Sequence, residues 1–253
     1  MRVCAYSFWL PKAGNKEEEY EDAFWPPEPK EEGGVKFSFA VADGATEASY
    51  SKIWANLLVE AYCAGTLEEG SREASIAELQ AKWREVVTAQ PLPWYAEEKI
   101  RSGAFSSLLG LTLHDTKTPR STTGTWEALA IGDSCLFQMR DGEMIEKFPI
   151  SSSEEFNNRP MLLSSNPGAN ERLAQYTSSK QGKWKAGDVF YLTTDALACS
   201  LLKAAEEGDK PWRIKRPTQE YFVSWISTLR EEGFIRNDDV TMVSVEPLLD
   251  GPP

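Results

Sequence analysis

The hydrophobic period of this chain changes several times, and the order of those changes restricts the fold more than any single residue does. From Lys36 to Ala42, Phe37, Phe39 and Val41 alternate with Lys36, Ser38 and Ala40, the period of a strand with one buried face, and Asp43 and Gly44 end it. The period then becomes helical. Ile53, Trp54, Leu57, Leu58, Ala61 and Tyr62 form one apolar stripe in a helix that starts near Glu47, with Thr46 available as N-cap and Gly65 as a stop. Ile76, Leu79, Trp83, Val86 and Val87 form a second stripe, capped by Ser71 and ended by Pro91 and Pro93. These two helices are expected to pack antiparallel. Strand-like runs follow at Ser106 to Leu113, Thr125 to Ile131 and Cys135 to Met139, with Asp141 and Gly142 as a hairpin turn, and together they read as an antiparallel meander.

Residues 151–179 are polar with no strong period, which predicts an irregular excursion or a small inserted flap. A short strand over Val189 to Thr193, a helix over Ala196 to Ala205, an amphipathic helix marked by Phe222, Trp225, Ile226 and Leu229, and a strand over Val240 to Val245 complete the chain. Helices and strands do not alternate as in a parallel βαβ protein, so the pattern predicts α+β layers, in one domain spanning residues 1–253.

Charge and histidine content narrow the chemistry. The formal net charge of −12 repels phosphate backbones and anionic lipid, and no basic patch offsets it, so neither nucleic acid nor a membrane is an expected partner. Cys4, Cys63, Cys135 and Cys199 are far apart and form no CxxC pair, which fits a reduced cytoplasm. No apolar stretch reaches bilayer length and the N-terminus lacks a signal-peptide pattern, so a cytoplasmic location is expected. His114 is the single histidine, which argues against histidine triads and polyhistidine zinc sites. The chemistry must run on carboxylates, hydroxyls, lysine or arginine.

Four aspartates sit at junctions between a strand and a loop. Asp43 ends the strand at Phe37 to Ala42, Asp195 follows the strand at Val189 to Thr193, Asp238 precedes the last strand, and Asp22 precedes the apolar step Ala23 to Trp25. Each alone also reads as a turn residue or helix cap. If the strands lie side by side, the four carboxylates converge, and such a cluster raises its own pKa values unless a counter-charge is present. Divalent metal is the obvious counter-charge. Oxygen-only ligands select magnesium or manganese over zinc or copper, and no run of ligands resembles an EF-hand loop.

The strings YEDAF at 20–24, VADGATEASYS at 41–51, AIGDSCLFQMRDG at 130–142, GDVFYLTTDA at 187–196 and NDDVTMVSV at 237–245 resemble, in order, the successive motifs of the metal-dependent serine/threonine phosphatases of the 2C type. The resemblance implies a four-layer αββα sandwich of two antiparallel sheets flanked by antiparallel helix pairs. It makes Asp22, Asp43, the carbonyl of Gly44, Asp195 and Asp238 the ligands of two magnesium or manganese ions, with Asp43 shared. A metal-bound water held by Asp43 and Asp22 would then attack the phosphorus of a phosphoserine or phosphothreonine in a protein substrate. A small phosphorylated metabolite as substrate, or a non-catalytic partner-binding role, is the alternative.

Departures from the family bear on the substrate side. Ala45 stands where many members have a histidine after Asp-Gly, and the stretch AGNKEEEYED before Asp22 lacks the usual phosphate-gripping arginine, leaving Lys12 or Lys16 for that task. Asp133 and Ser134 read as turn residues, and Ser106, Ser107, Thr193 and Thr194 as strand residues. The family pattern at the last motif makes Asp238 the ligand and puts Asp239 at the place of an asparagine, so Asn at position 239 is expected to be tolerated.

Overall fold

A computed structural model of the chain describes residues 1–45, 50–89, 100–116, 123–157, 159–210 and 218–248. In chain order these residues form β1 (Arg2–Leu10), β2 (Ala23–Trp25), β3 (Lys30–Gly33), β4 (Lys36–Ala42), α1 (Ser51–Cys63) and α2 (Arg72–Val87). Next come β5 (Phe105–Ser106), β6 (Leu108–Asp115), β7 (Thr123–Ile131), β8 (Cys135–Arg140), β9 (Glu143–Phe148) and β10 (Leu163–Ser164). The chain continues through α3 (Leu173–Tyr176), β11 (Thr177–Lys185), β12 (Val189–Thr193), α4 (Asp195–Glu206), α5 (Gln219–Glu231) and β13 (Val240–Leu248). One sheet has the order β11-β7-β6-β4-β2 and the other β3-β1-β13-β12-β8-β9, with antiparallel ladders in both, and β5 and β10 form a short separate ladder.

The strand period explains the layers. Phe37, Phe39 and Val41 of β4 point into a central core that they share with Leu109 and Leu111 of β6 and, from the other sheet, Leu136, Phe190, Leu192 and Val243. Full burial of side chains of this size contributes roughly 1.5–3 kcal/mol each. The opposite parity of β4 carries Ala40 and Ala42, whose small side chains let Trp54 and Leu58 of α1 pack on the sheet. Gly110 serves the same purpose, because a Cβ there would lie 2.2 Å from the Tyr62 ring. On the far face Phe137, Tyr191 and Met242 meet Leu197 and Leu201 of α4 and Phe222 and Ile226 of α5. The architecture is therefore α+β, with two antiparallel sheets face to face and helices on both outer faces. Among the described residues, no helix is long and apolar enough to cross a membrane.

Several local expectations change. The meander splits, since β7 and β8 are consecutive in the chain but lie in different sheets. Cys135 to Met139 is buried on both faces, so its pattern carries no indication of which sheet it joins. β1 and β11 have no counterpart in the sequence reading. β11 is an edge strand, mostly open to solvent apart from Trp184, and its ladder with β7 leaves no apolar period to detect. Ser71 does not cap α2; its Oγ donates to the carbonyls of Thr66 and Glu68. The expected cap Thr46, the helix start at Glu47 and the stops Pro91 and Pro93 lie outside the described residues.

Candidate metal centre

Register brings the aspartates together. Ala23 pairs with Ala42, so Asp22 before β2 and Asp43 after β4 sit at the same end of the five-stranded sheet. Thr193 pairs with Met242, so Asp195, the first residue of α4, and Asp238, just before β13, sit at one end of the six-stranded sheet. The two ends coincide: the charges of Asp22, Asp195, Asp133 and Asp238 all act on Asp43.

Asp43 is held through its backbone and Asp22 through one carboxylate oxygen. The Asp43 N–H donates to Ser107 Oγ at 3.0 Å, the Ser107 N–H donates to the Asp43 carbonyl at 2.9 Å, and Ser107 Oγ shares a proton with Ser134 Oγ at 2.7 Å. Gly44 is pressed so closely between neighbours that a Cβ would lie 2.6 Å from the Glu21 carbonyl oxygen. Asp22, 2% exposed, accepts at Oδ2 from Thr194 Oγ1 at 3.1 Å and from Thr241 Oγ1 at 2.5 Å. Thr241 has one hydroxyl proton and gives it to Asp22, so the Tyr20 hydroxyl beside it must be the donor to Thr241.

What the protein leaves unpaired is informative. Asp22 Oδ1 and Asp195 Oδ1 are buried without a hydrogen-bond partner. Burial first, and then the charge of Asp22 and Asp195, push the Asp43 carboxyl well above the usual range. Burial likewise raises Asp22, against hydrogen bonds from Thr241 and Thr194 that lower it. Asp133 is pushed up to about 7 by burial and then by Asp195. Oxygens that lack partners, in a set of carboxylates that cannot all ionise together, fit hard divalent cations. The arrangement is not a closed cage: among the described residues no three carboxylates surround one point at ligand distance, and Arg236 stands between Asp195 and Asp238.

The raised values give a pH prediction for the metal-free protein. A carboxyl whose pKa is higher folded than unfolded stabilises the fold fully below its unfolded value, and the contribution is lost as pH rises through the folded value. For Asp133 that loss extends from its ordinary 3.8 up to about 7. In chelator, Tm should therefore rise by about 4 °C from pH 8 to pH 5.5, and scanning calorimetry with saturating manganese should show the gain removed.

The remaining candidates separate clearly. Asp238 lies at the cluster, 3.0 Å from the Arg236 guanidinium. Asp239 turns the other way: its Oδ1 accepts from the Lys12 N–H and its Oδ2 from the Glu21 N–H, both at 2.7 Å. Asn at 239 would keep only one acceptor for these two amides, so a loss of stability is expected there in place of tolerance. Lys12 enters through its backbone N–H, and Lys16 precedes the short turn Glu17–Glu19; among the described residues, Arg236 is the cation that touches the cluster. His114 bonds Glu127 at 3.0 Å, six residues and about 20 Å along β6 from Leu108 at the site end.

Sequence reasoning missed Asp133, the hydroxyl anchors Ser107, Thr194 and Thr241, and Arg236. For Thr194 and Thr241 the available signal was their position close to Asp195 and to Asp238-Asp239 in the same motifs; Ser107 lies outside every motif and is brought to Asp43 by the sheet. The sequence marks Asp133 as a turn residue, and it does follow a turn: Gly132 has φ +94 and a Cβ there would meet Ser107 at 2.8 Å. That turn aims the carboxylate into the cluster.

The fold matches that of the Mycobacterium tuberculosis serine/threonine phosphatase PstP, with a TM-score of 0.60 at 14% identity over 98% of this chain and 100% of that one. PppA, a regulatory component of the type VI secretion system in Pseudomonas aeruginosa, matches with a TM-score of 0.57 at 16% identity over 96% and 97%. The catalytic domain of PstP in complex with 2 manganese ions matches with a TM-score of 0.54 at 16% identity over 98% and 100%. No protein among those curated for function matches the sequence. A sequence model of protein phosphatase 2C covers residues 18–242, a span that contains Asp22, Asp43, Asp133, Asp195 and Asp238, and the chain therefore belongs to the protein phosphatase 2C family.

Proposed function

We propose that this phosphoric monoester hydrolase removes phosphate from phosphoserine and phosphothreonine in proteins, using two magnesium or manganese ions held by Asp22, Asp43, the Gly44 carbonyl, Asp195 and Asp238. The observation that carries the reading is the pair of orphaned, buried oxygens, Asp22 Oδ1 and Asp195 Oδ1, on the two residues whose charges act most on the Asp43 carboxyl. When bound, the ions supply a lowered pKa for water and neutralisation of the phosphoryl oxygens.

The chain's own contribution is positioning. Thr194 and Thr241 fix Asp22 by one oxygen and leave the other buried without a partner. Ser107 fixes the Asp43 backbone on both sides, which holds the carboxylate central to the rest. No histidine follows Asp43-Gly44, and His114 is remote, so the leaving-group proton comes from solvent in this reading. The side chains of Asp238 and Arg236 are 30% and 50% exposed, so one rim of the otherwise buried cluster opens to solvent, which suits a phosphorylated side chain presented by a large partner. A reduced, cytoplasmic setting fits four cysteines that form no disulfide with one another.

Hydrolysis of a phosphothreonine peptide, an aryl phosphate and a small sugar phosphate should be followed with manganese, magnesium, calcium and chelator in parallel. Turnover is expected with manganese or magnesium and not with chelator, and kcat/KM for the peptide should exceed that for the sugar phosphate by about tenfold or more. Metal-independent turnover would falsify the mechanism. Ion binding without turnover of any substrate would instead support the partner-binding role.

A further inference from the structure

The carboxylate cluster carries a cation of its own. The Arg236 Nη2 donates to Asp195 Oδ2 and lies 3.0 Å from Asp238 Oδ2, so one guanidinium bridges two residues of the proposed ion site. Its side chain is half exposed while that of Asp195 is 7% exposed, so the head reaches inward from the rim. The backbone on either side is anchored. Ile235 is buried, and the Asn237 side chain both accepts from the Ala13 N–H and donates to the Ala13 carbonyl. Movement of the guanidinium need not move the chain. Arg230, by contrast, donates to the backbone carbonyls of Pro11 and Asp238.

A guanidinium and a divalent ion cannot use the same two carboxylates together. The ion has twice the charge and is compact, so it wins the oxygens, and the arginine must then find another anion close by. A planar fork of N–H donors at the rim of an ion site matches the oxygens of a phosphoryl group. The stretch before Asp22 offers no arginine for that task.

We propose that Arg236 neutralises Asp195 and Asp238 in the metal-free protein, is displaced by a divalent ion, and then binds the phosphoryl oxygens of the substrate. This rests on the reading that Asp195 and Asp238 hold an ion.

Calorimetric titration of the metal-free full chain with manganese, followed by titration of the manganese-loaded chain with inorganic phosphate, tests it in wild type and in Arg236→Gln. Removing the competitor should tighten manganese binding about fivefold. Loss of the charged fork should weaken phosphate binding by roughly tenfold or more. Equal manganese affinity in the two proteins would overturn the displacement, and equal phosphate affinity would overturn the anion role. Failure of wild type to bind manganese would sink the metal reading itself and be seen as such. In wild type, which does not depend on the variant folding, the Arg236 Nε–Hε resonance should move as magnesium saturates and move again on adding phosphate. A resonance indifferent to magnesium would refute the proposal.

Discussion

Asp43→Asn is expected to abolish ion binding and turnover together, with turnover falling on the order of a thousandfold or more. Asn has the shape of Asp, and the two backbone hydrogen bonds to Ser107 that set the position of residue 43 do not involve its side chain, so the fold is retained. The charge is what disappears. Asp43 is the carboxylate on which Asp22, Asp195, Asp133 and Asp238 all act, and removing its charge relieves that repulsion in the metal-free protein. The variant should therefore melt above wild type in chelator and below it in saturating manganese. Thermal melts under both conditions, with calorimetry for the ion, would show the crossing, and Asp43→Asn turning over with manganese at a wild-type rate would remove Asp43 from the site.

The adjacent pair at the head of the last strand gives the second large effect, because the two side chains have different partners. Asp238 faces the cluster and Arg236. Asp238→Asn should leave the fold intact and lower turnover by about a hundredfold or more, by removing an ion-holding charge. Asp239 instead clamps the N-H groups of Lys12 and Glu21, one to each oxygen. Asp239→Asn turns one acceptor into a donor facing an N–H, which should cost about 1–3 kcal/mol of stability and lower Tm by several degrees. Turnover should fall only modestly, through a looser Glu21 beside Asp22. Stability and activity thus separate the pair. A stable but inactive Asp239→Asn alongside an active Asp238→Asn would put the ion on the wrong neighbour in our assignment.

The layers were legible because β4, α1 and α5 each carry one apolar face, and a single face settles both the period and the side that is buried. Strands without that asymmetry were not legible. β8 is buried on both sides and β11 is nearly bare, so neither betrays its sheet. The same holds for the site. Asp22, Asp43, Asp195 and Asp238 announce themselves at strand ends, and register then places them together. Asp133 looks the same as any turn aspartate until the Gly132 turn is seen to aim it. The sequence offers Lys12 or Lys16 as the cation near Asp22, whereas Arg236 reaches the cluster from the opposite end of the chain, a contact that no local pattern encodes.

The hydrogen-bond ladders of the two sheets are separate, and Asp22 and Asp43 come from one sheet while Asp195 and Asp238 come from the other. Thr194 and Thr241 already reach across that seam to Asp22. An ion shared between these carboxylates would be a clasp across the seam, closing a loop of more than a hundred residues between Asp43 and Asp195. Loading the site would then do more than prepare it for chemistry: it would make the sandwich harder to pry open, so that loss of the ions and susceptibility to degradation become one event.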